Sequence, residues 1–188
     1  MQVISKILLH WWGFRLEGDP SNQLPHRIFA VIPHTSNWDF PLGLLVRSAA
    51  GIQVKFIAKD SLFKPPFGFV FRWLGGYPVD RSQSHNYVEA VAALFQTTPE
   101  LAIAIAPEGT RKKVERLRTG FYHIARMAQV PIIMTKFDFG RKVVAFSPPF
   151  YPSQDKERDF EKMTEFYRDA RGKNPELGFD FSNPTVIS

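Results

Sequence analysis

The sequence predicts an α/β fold: a single domain with a largely parallel or mixed sheet flanked by helices, and an amphipathic helix at its N-terminus. Three observations carry that prediction. Short apolar runs bounded by Pro or Gly alternate with segments of helical spacing, the pattern of strands joined by crossover helices. The clearest run, Leu101 to Ala106, is apolar throughout and stops at Pro107, as a strand covered on both faces would. Finally, 188 residues suffice to bury one core of ordinary size, and no repeat, low-complexity tract or linker divides them.

Residues 3–14 place Ile4, Ile7, Leu8 and Trp11 at i, i+3, i+4 and i+7, with Val3 and Trp12 beside that stripe. Ser5, Lys6 and His10 fall opposite, so 1–18 reads as an amphipathic helix running toward a turn at 18–22. Its apolar face suits either the domain's own core or the headgroup boundary of a bilayer, where paired Trp beside a basic residue is favoured. Residues 27–32 form an apolar strand ended by Pro33, and 38–50 read as a helix. Because Pro41 is tolerated only in a first turn, that helix starts at Trp38 or Asp39. A second strand is expected at 53–58, followed by a Phe- and Pro-rich loop running into a short apolar helix at 63–73. Helical spacing returns at 86–96 through Val88, Val91, Ala92 and Phe95. After the strand at 101–106 come a loop at 108–118, a helix at 119–128, strands at 131–137 and 142–146, and a charged helix at 155–171 ended by Gly172.

Composition narrows the function. Twenty-four Lys and Arg against 18 Asp and Glu give a net charge of +6, which attracts nucleic acid, anionic headgroups or phosphorylated substrates. The 18 Phe, 4 Trp and 5 Tyr suit a protein that handles an apolar ligand or touches a bilayer. The aromatics sit in apolar stretches rather than among basic residues, and no known binding module is present, so nucleic acid is not the expected partner. The absence of cysteine excludes disulfides, thiolate catalysis and cysteine-bound zinc. No apolar run approaches the ~20 residues of a membrane span. His10 and the polar stretch 15–19 also leave no signal-peptide pattern. The expectation is a soluble or peripheral intracellular protein.

Open α/β sheets place ligands at the carboxyl ends of their strands. Two such ends carry reactive side chains: Pro33-His34-Thr35-Ser36-Asn37-Trp38-Asp39, and Pro107-Glu108-Gly109-Thr110-Arg111. On one regular helix His34 and Asp39 would point about 140° apart, but across a strand-to-helix turn they can meet. An aspartate on Nδ1 of a histidine fixes the tautomer and stabilises the imidazolium once Nε2 has taken a proton. Taken alone, the pair reads more readily as a helix cap beside an ordinary loop histidine than as a dyad. Arg111 and the amides around Gly109 and Thr110 suit a phosphate, and Gly75 to Arg81 brings a second arginine, Arg81, after a glycine-bearing turn. Lys112, Lys113, Arg116 and Arg118 read as a solvated charged face.

Four segments, in this order, resemble the motifs of the glycerolipid acyltransferase family typified by 1-acylglycerol-3-phosphate acyltransferases. His34 to Asp39 matches H-x-x-x-x-D. Gly75 to Arg81 is similar to G-x-x-F-I-D-R, with Pro78 and Val79 in place of Phe and Ile. Pro107 to Arg111 matches P-E-G-T-R, and Val130-Pro131-Ile132-Ile133 resembles the fourth, apolar block. The resemblance implies that His34 is the general base for an acceptor hydroxyl and Asp39 its orienting partner. The alkoxide would attack an acyl-CoA or acyl-carrier-protein thioester directly, without an acyl-enzyme. Arg81, Glu108, Gly109, Thr110 and Arg111 would hold the acceptor and its phosphate, and the segment after Val130 would support the acyl-binding part of the fold. The resemblance calls for no cofactor and no metal. It implies a lysophospholipid acceptor, 1-acylglycerol-3-phosphate first and another lysolipid or lyso-aminolipid second. It also implies peripheral contact with anionic lipid on the cytoplasmic face of a membrane.

Three departures stand out. Lys112 replaces the usual Ser after the arginine, Met134 replaces the second proline of the fourth block, and no membrane-spanning segment precedes the motifs. Contact with lipid would then fall to the first helix and to 63–73, with Phe67, Phe69, Phe71 and Trp73. Two rival readings use the same residues. A metal-dependent hydrolase built on His34, Asp39, Glu108 and His123 lacks spacing such as H-E-x-x-H, and Arg111 beside Glu108 would repel a cation. A non-catalytic lipid- or anion-binding protein would need no base.

Overall fold

The computed structural model describes residues 1–20, 23–79 and 84–182. Its strands are β1 (Arg15–Glu17), β2 (His26–Ile32), β3 (Lys55–Lys59), β4 (Gly76–Val79), β5 (Leu101–Ile105), β6 (Ile132–Asp138) and β7 (Val143–Phe146). They form one sheet in the order β1-β7-β6-β2-β5-β3-β4. Every neighbouring pair is parallel except β6 with β7. The expected α/β architecture with a mixed sheet is therefore the observed one. The helices are α1 (Gln2–Trp11), α2 (Asp39–Ala50), α3 (Gly68–Trp73), α4 (Ser84–Thr97), α5 (Gly120–Ala128) and α6 (Lys156–Tyr167).

Period-two alternation along β2 divides the core between the two faces of the sheet. Ile28, Ala30 and Ile32 pack with Val91 and Phe95 of α4, Phe121 and Ile124 of α5, and Phe160 and Met163 of α6. Phe29 turns the other way, toward Leu9 of α1 and Leu42, Val46 and Ala49 of α2. Strands covered on both faces need apolar residues on both, which explains why β5 reads Leu-Ala-Ile-Ala-Ile without a polar break.

Two strands do not show in the sequence pattern. β1 is three residues with two charges, and it pairs only with β7 at the sheet's edge. β4 carries Pro78, which cannot donate to a ladder and is tolerated because β4 is the other edge strand. Of the two settings open to the apolar stripe of α1, the domain's own core is not the one it takes. Ser5 and Leu9 turn inward, with Ser5 Oγ donating to Ser48 Oγ at 2.8 Å. The stripe of Val3, Ile4, Ile7, Leu8 and Trp11 faces outward. Phe67, Phe69 and Trp73, around α3, are exposed as well. Among the described residues no helix is long and apolar enough to cross a membrane. The charged C-terminal helix ends at Tyr167 rather than at 171, and the chain beyond it returns to the sheet.

Candidate active site

β2 and β5 are adjacent and parallel, in register from His26↔Leu101 to Ala30↔Ile105. Extending both chains a few residues past that ladder brings His34 and Glu108 out at the same end of the sheet. The two motif-bearing strand ends therefore converge because of the pairing of their strands.

His34 Nδ1 lies 3.0 Å from Asp39 Oδ2. The same carboxylate oxygen accepts the Ser36 N–H at 2.9 Å, and Ser36 Oγ accepts the Trp38 N–H at 3.2 Å. Asp39 thus both orients the histidine and shapes the turn between them, while α2 carries no side-chain cap bond at its N-terminus. As the first residue of α2 it also sits where a helix favours a negative charge. The Asp39 side chain keeps 3% exposure and His34 27%, so the carboxylate is shielded while the imidazole stays reachable. With Nδ1 committed, Nε2 is the nitrogen left for a substrate.

His34 and Asp39 stand at one end of a cavity of about 920 Å³ between α2 and the sheet. Gly109, Thr110, Arg111 and Lys112 border it, as does Asn37. The rest of the wall is apolar, with Phe29, Leu44, Val46, Phe56, Phe137 and Phe146 among its residues. Arg47, eight residues on from Asp39 along α2 and so about 12 Å away at the helical rise, also lines it. Arg47 Nη1 donates to the Leu74 carbonyl at 2.7 Å and the Val54 carbonyl at 3.2 Å, tying the end of α2 to the approaches of β3 and β4. A largely apolar wall carrying a few placed polar groups is the usual form of a small-molecule site.

Glu108 does not border the cavity with its neighbours. Its carboxyl is buried, Oε2 accepts the His34 N–H, and Oε1 accepts the Phe179 N–H at 3.4 Å. Burial raises its pKa from 4.5 to about 7 against the opposing pull of those amides and of His34. Gly109, with φ +67°, makes the turn that sends Glu108 inward while Thr110 and Arg111 stay outside, and a Cβ there would meet Arg118. Arg81, expected in the same phosphate site, lies outside the described residues. His123 is on the exposed face of α5.

The sequence pattern of the Acyltransferase family matches residues 15–135, well over half of the chain. The chain belongs to that family. Within it, the 1-acyl-sn-glycerol-3-phosphate acyltransferase of Cocos nucifera is 31% identical over 85 residues, which cover 43% of this chain and 28% of that protein. The chain thus spans little more than a quarter of that relative's length. The crystal structure of the 1-acyl-sn-glycerophosphate acyltransferase PlsC from Thermotoga maritima matches with a TM-score of 0.59, over 86% of this chain and 73% of that one, at 19% identity. That likeness establishes a shared fold.

The acyltransferase match ends at Thr135, yet residues beyond it reach the strand ends. Tyr167, fully buried, donates its hydroxyl hydrogen to the Ala30 carbonyl at 2.6 Å and accepts the Thr135 N–H at 3.1 Å, standing as a rung between β2 and β6. Asn174 bonds Thr35 twice. The alternating Phe179 and Phe181, both buried, were the signal in the sequence that this tail is structural.

Proposed function

We propose that the chain transfers a fatty acyl group from an acyl-CoA or acyl-carrier-protein thioester to the free hydroxyl of a lysophospholipid, with 1-acylglycerol-3-phosphate the favoured acceptor. The observation that carries this reading is the His34–Asp39 pair at the polar end of a large apolar cavity. In the proposed step Nε2 of His34 accepts the hydroxyl proton as the hydroxyl oxygen bonds the thioester carbonyl carbon. The imidazolium, held by Asp39, then returns that proton to the departing sulfur as the C–S bond breaks, leaving ester and free thiol. The apolar wall would take an acyl chain, and Arg111 would meet the acceptor's phosphate. The exposed stripe of α1 and the aromatics around α3 would rest on an anionic membrane surface from the cytoplasmic side, each basic residue near it adding about 1 kcal/mol.

The test offers purified protein an acyl-CoA and a panel of lysolipid acceptors and follows thiol release. General-base chemistry is worth about 10²- to 10⁴-fold, so His34→Ala is expected to fall by at least that, and Asp39→Asn by a comparable factor. Arg111→Ala is expected to lose activity only on phosphate-bearing acceptors. If His34→Ala turns over as fast as the parent on every acceptor, the reading is wrong.

A further inference from the structure

The main-chain and hydroxyl bonds around His34 divide between two sources. The Ser36 N–H goes to Asp39 and the Asp39 N–H to the Ser36 carbonyl, both within the loop. The bonds of Thr35 go elsewhere. Its Oγ1 accepts the Asn174 N–H at 3.2 Å and its carbonyl accepts Asn174 Nδ2 at 3.0 Å, a separation of 139 residues in sequence. Thr35 is 1% exposed, so these atoms have no access to water. Gly172 lies so close that a Cβ there would sit 2.3 Å from Thr35 Oγ1. A few residues on, the Phe179 N–H meets the other oxygen of the Glu108 carboxylate whose partner holds the His34 N–H. The tail is itself fixed, with Phe181 stacked on Tyr167 at 5.6 Å and edge-on to Phe179 at 4.8 Å.

We propose that residues 172–181 act as a positioning strap for the His34 loop, with Asn174 the positioning residue that locks Thr35 and so fixes the His34 main chain relative to Asp39. The inference rests on the reading of His34 as the base. Asn174 touches no substrate; it removes the freedom of the one loop whose displacement would separate Nδ1 from its carboxylate. The strap lies outside residues 15–135, the stretch matched by the family's sequence pattern.

The test compares Asn174→Ala, Thr35→Val and Thr35→Ser in the full chain. Asn174→Ala removes the amide donor, Thr35→Val removes the Oγ1 acceptor at nearly constant volume, and Thr35→Ser restores that acceptor. Displacements of about 1 Å at a catalytic group cost on the order of 10²-fold, so Asn174→Ala and Thr35→Val should lose about 10- to 100-fold in kcat with KM within about twofold, and Thr35→Ser should recover most of it. Deuterium uptake by the peptide spanning 34–39 should quicken about fivefold or more in the first two variants, the worth of one buried hydrogen bond, while uptake by β5 stays at the parental rate. The proposal is overturned by unchanged uptake at 34–39, by equal loss in Thr35→Ser and Thr35→Val, or by a rise that includes β5. Uptake does not depend on turnover. Failure of the base reading, an active His34→Ala, is therefore told apart from failure of the strap.

Discussion

Glu108 makes the stability of the fold depend on pH in a direction opposite to that of an ordinary salt-bridged carboxylate. In the folded protein its pKa is raised from 4.5 to about 7, with burial the largest cause. The charged form is therefore disfavoured by folding. Stability linked to this group is fully present below about pH 4.5, falls as pH rises through the window to about 7, and levels off above it. At about 1.4 kcal/mol per pH unit, a displacement of that size amounts to roughly 3 kcal/mol. The assay is urea unfolding of the parent and of Glu108→Gln at intervals from pH 4.5 to 8.5. Other titrating groups contribute to both proteins, so the difference in unfolding free energy isolates Glu108. Gln can accept only one of the two amides, which offsets the difference by a constant of about 1–3 kcal/mol without changing its slope. The parent's advantage should shrink by about 3 kcal/mol across the window. A difference that stays flat to within about half a kcal/mol, or one that grows with pH, refutes the assignment of a buried, reluctantly charged Glu108.

Two further outcomes follow from the same structure. Tyr167→Phe strands the Ala30 carbonyl and the Thr135 N–H together, at about 1–3 kcal/mol for each buried group. At about 2–4 °C per kcal/mol for a domain of this size, a melt followed by circular dichroism should show a fall of several degrees. A melting temperature within about 1 °C of the parent's would mean the two groups pair directly. Trp11 is 80% exposed on the outward stripe of α1, and burying one large apolar side chain is worth about 1.5–3 kcal/mol. Trp11→Ala should accordingly partition roughly 10- to 100-fold less onto anionic vesicles in a flotation assay. Equal flotation of variant and parent would remove α1 from the membrane contact.

What the sequence disclosed depended on how local the determining physics is. β2, β5 and β6 announced themselves through the apolar runs 28–32, 101–105 and 132–134, which strands buried on both faces require. The His34–Asp39 turn was legible because Pro33 and Pro41 leave the helix one place to begin. β1 and β4 were not, since edge strands need neither apolar alternation nor freedom from proline. The orientation of α1 stayed open because amphipathic spacing identifies a stripe without saying which medium it meets; the inward face is that of Ser5 and Leu9. The motif around Glu108 pointed to the right place, but not to the direction of its carboxyl. That depends on a left-handed turn at Gly109 and on partners 74 and 71 residues distant. Asn174 and Tyr167 act across 139 and 137 residues, and no spacing rule reaches so far.

The hydroxyl of Tyr167 has a consequence for where this molecule can be divided. The family's sequence pattern stops at residue 135, and by that measure alone the last quarter of the chain is an appendage. Yet Phe160, Met163, Tyr167, Phe179 and Phe181 share one continuous core with Ile28 and Ile32, and a phenol from α6 occupies a position in the ladder between β2 and β6. A chain cut at the edge of the recognisable segment would leave one face of the sheet's central strands open to water. It would also remove the brace behind the histidine loop. The segment that the family's sequence pattern recognises is therefore shorter than the segment that must fold together, and autonomy belongs to the longer one.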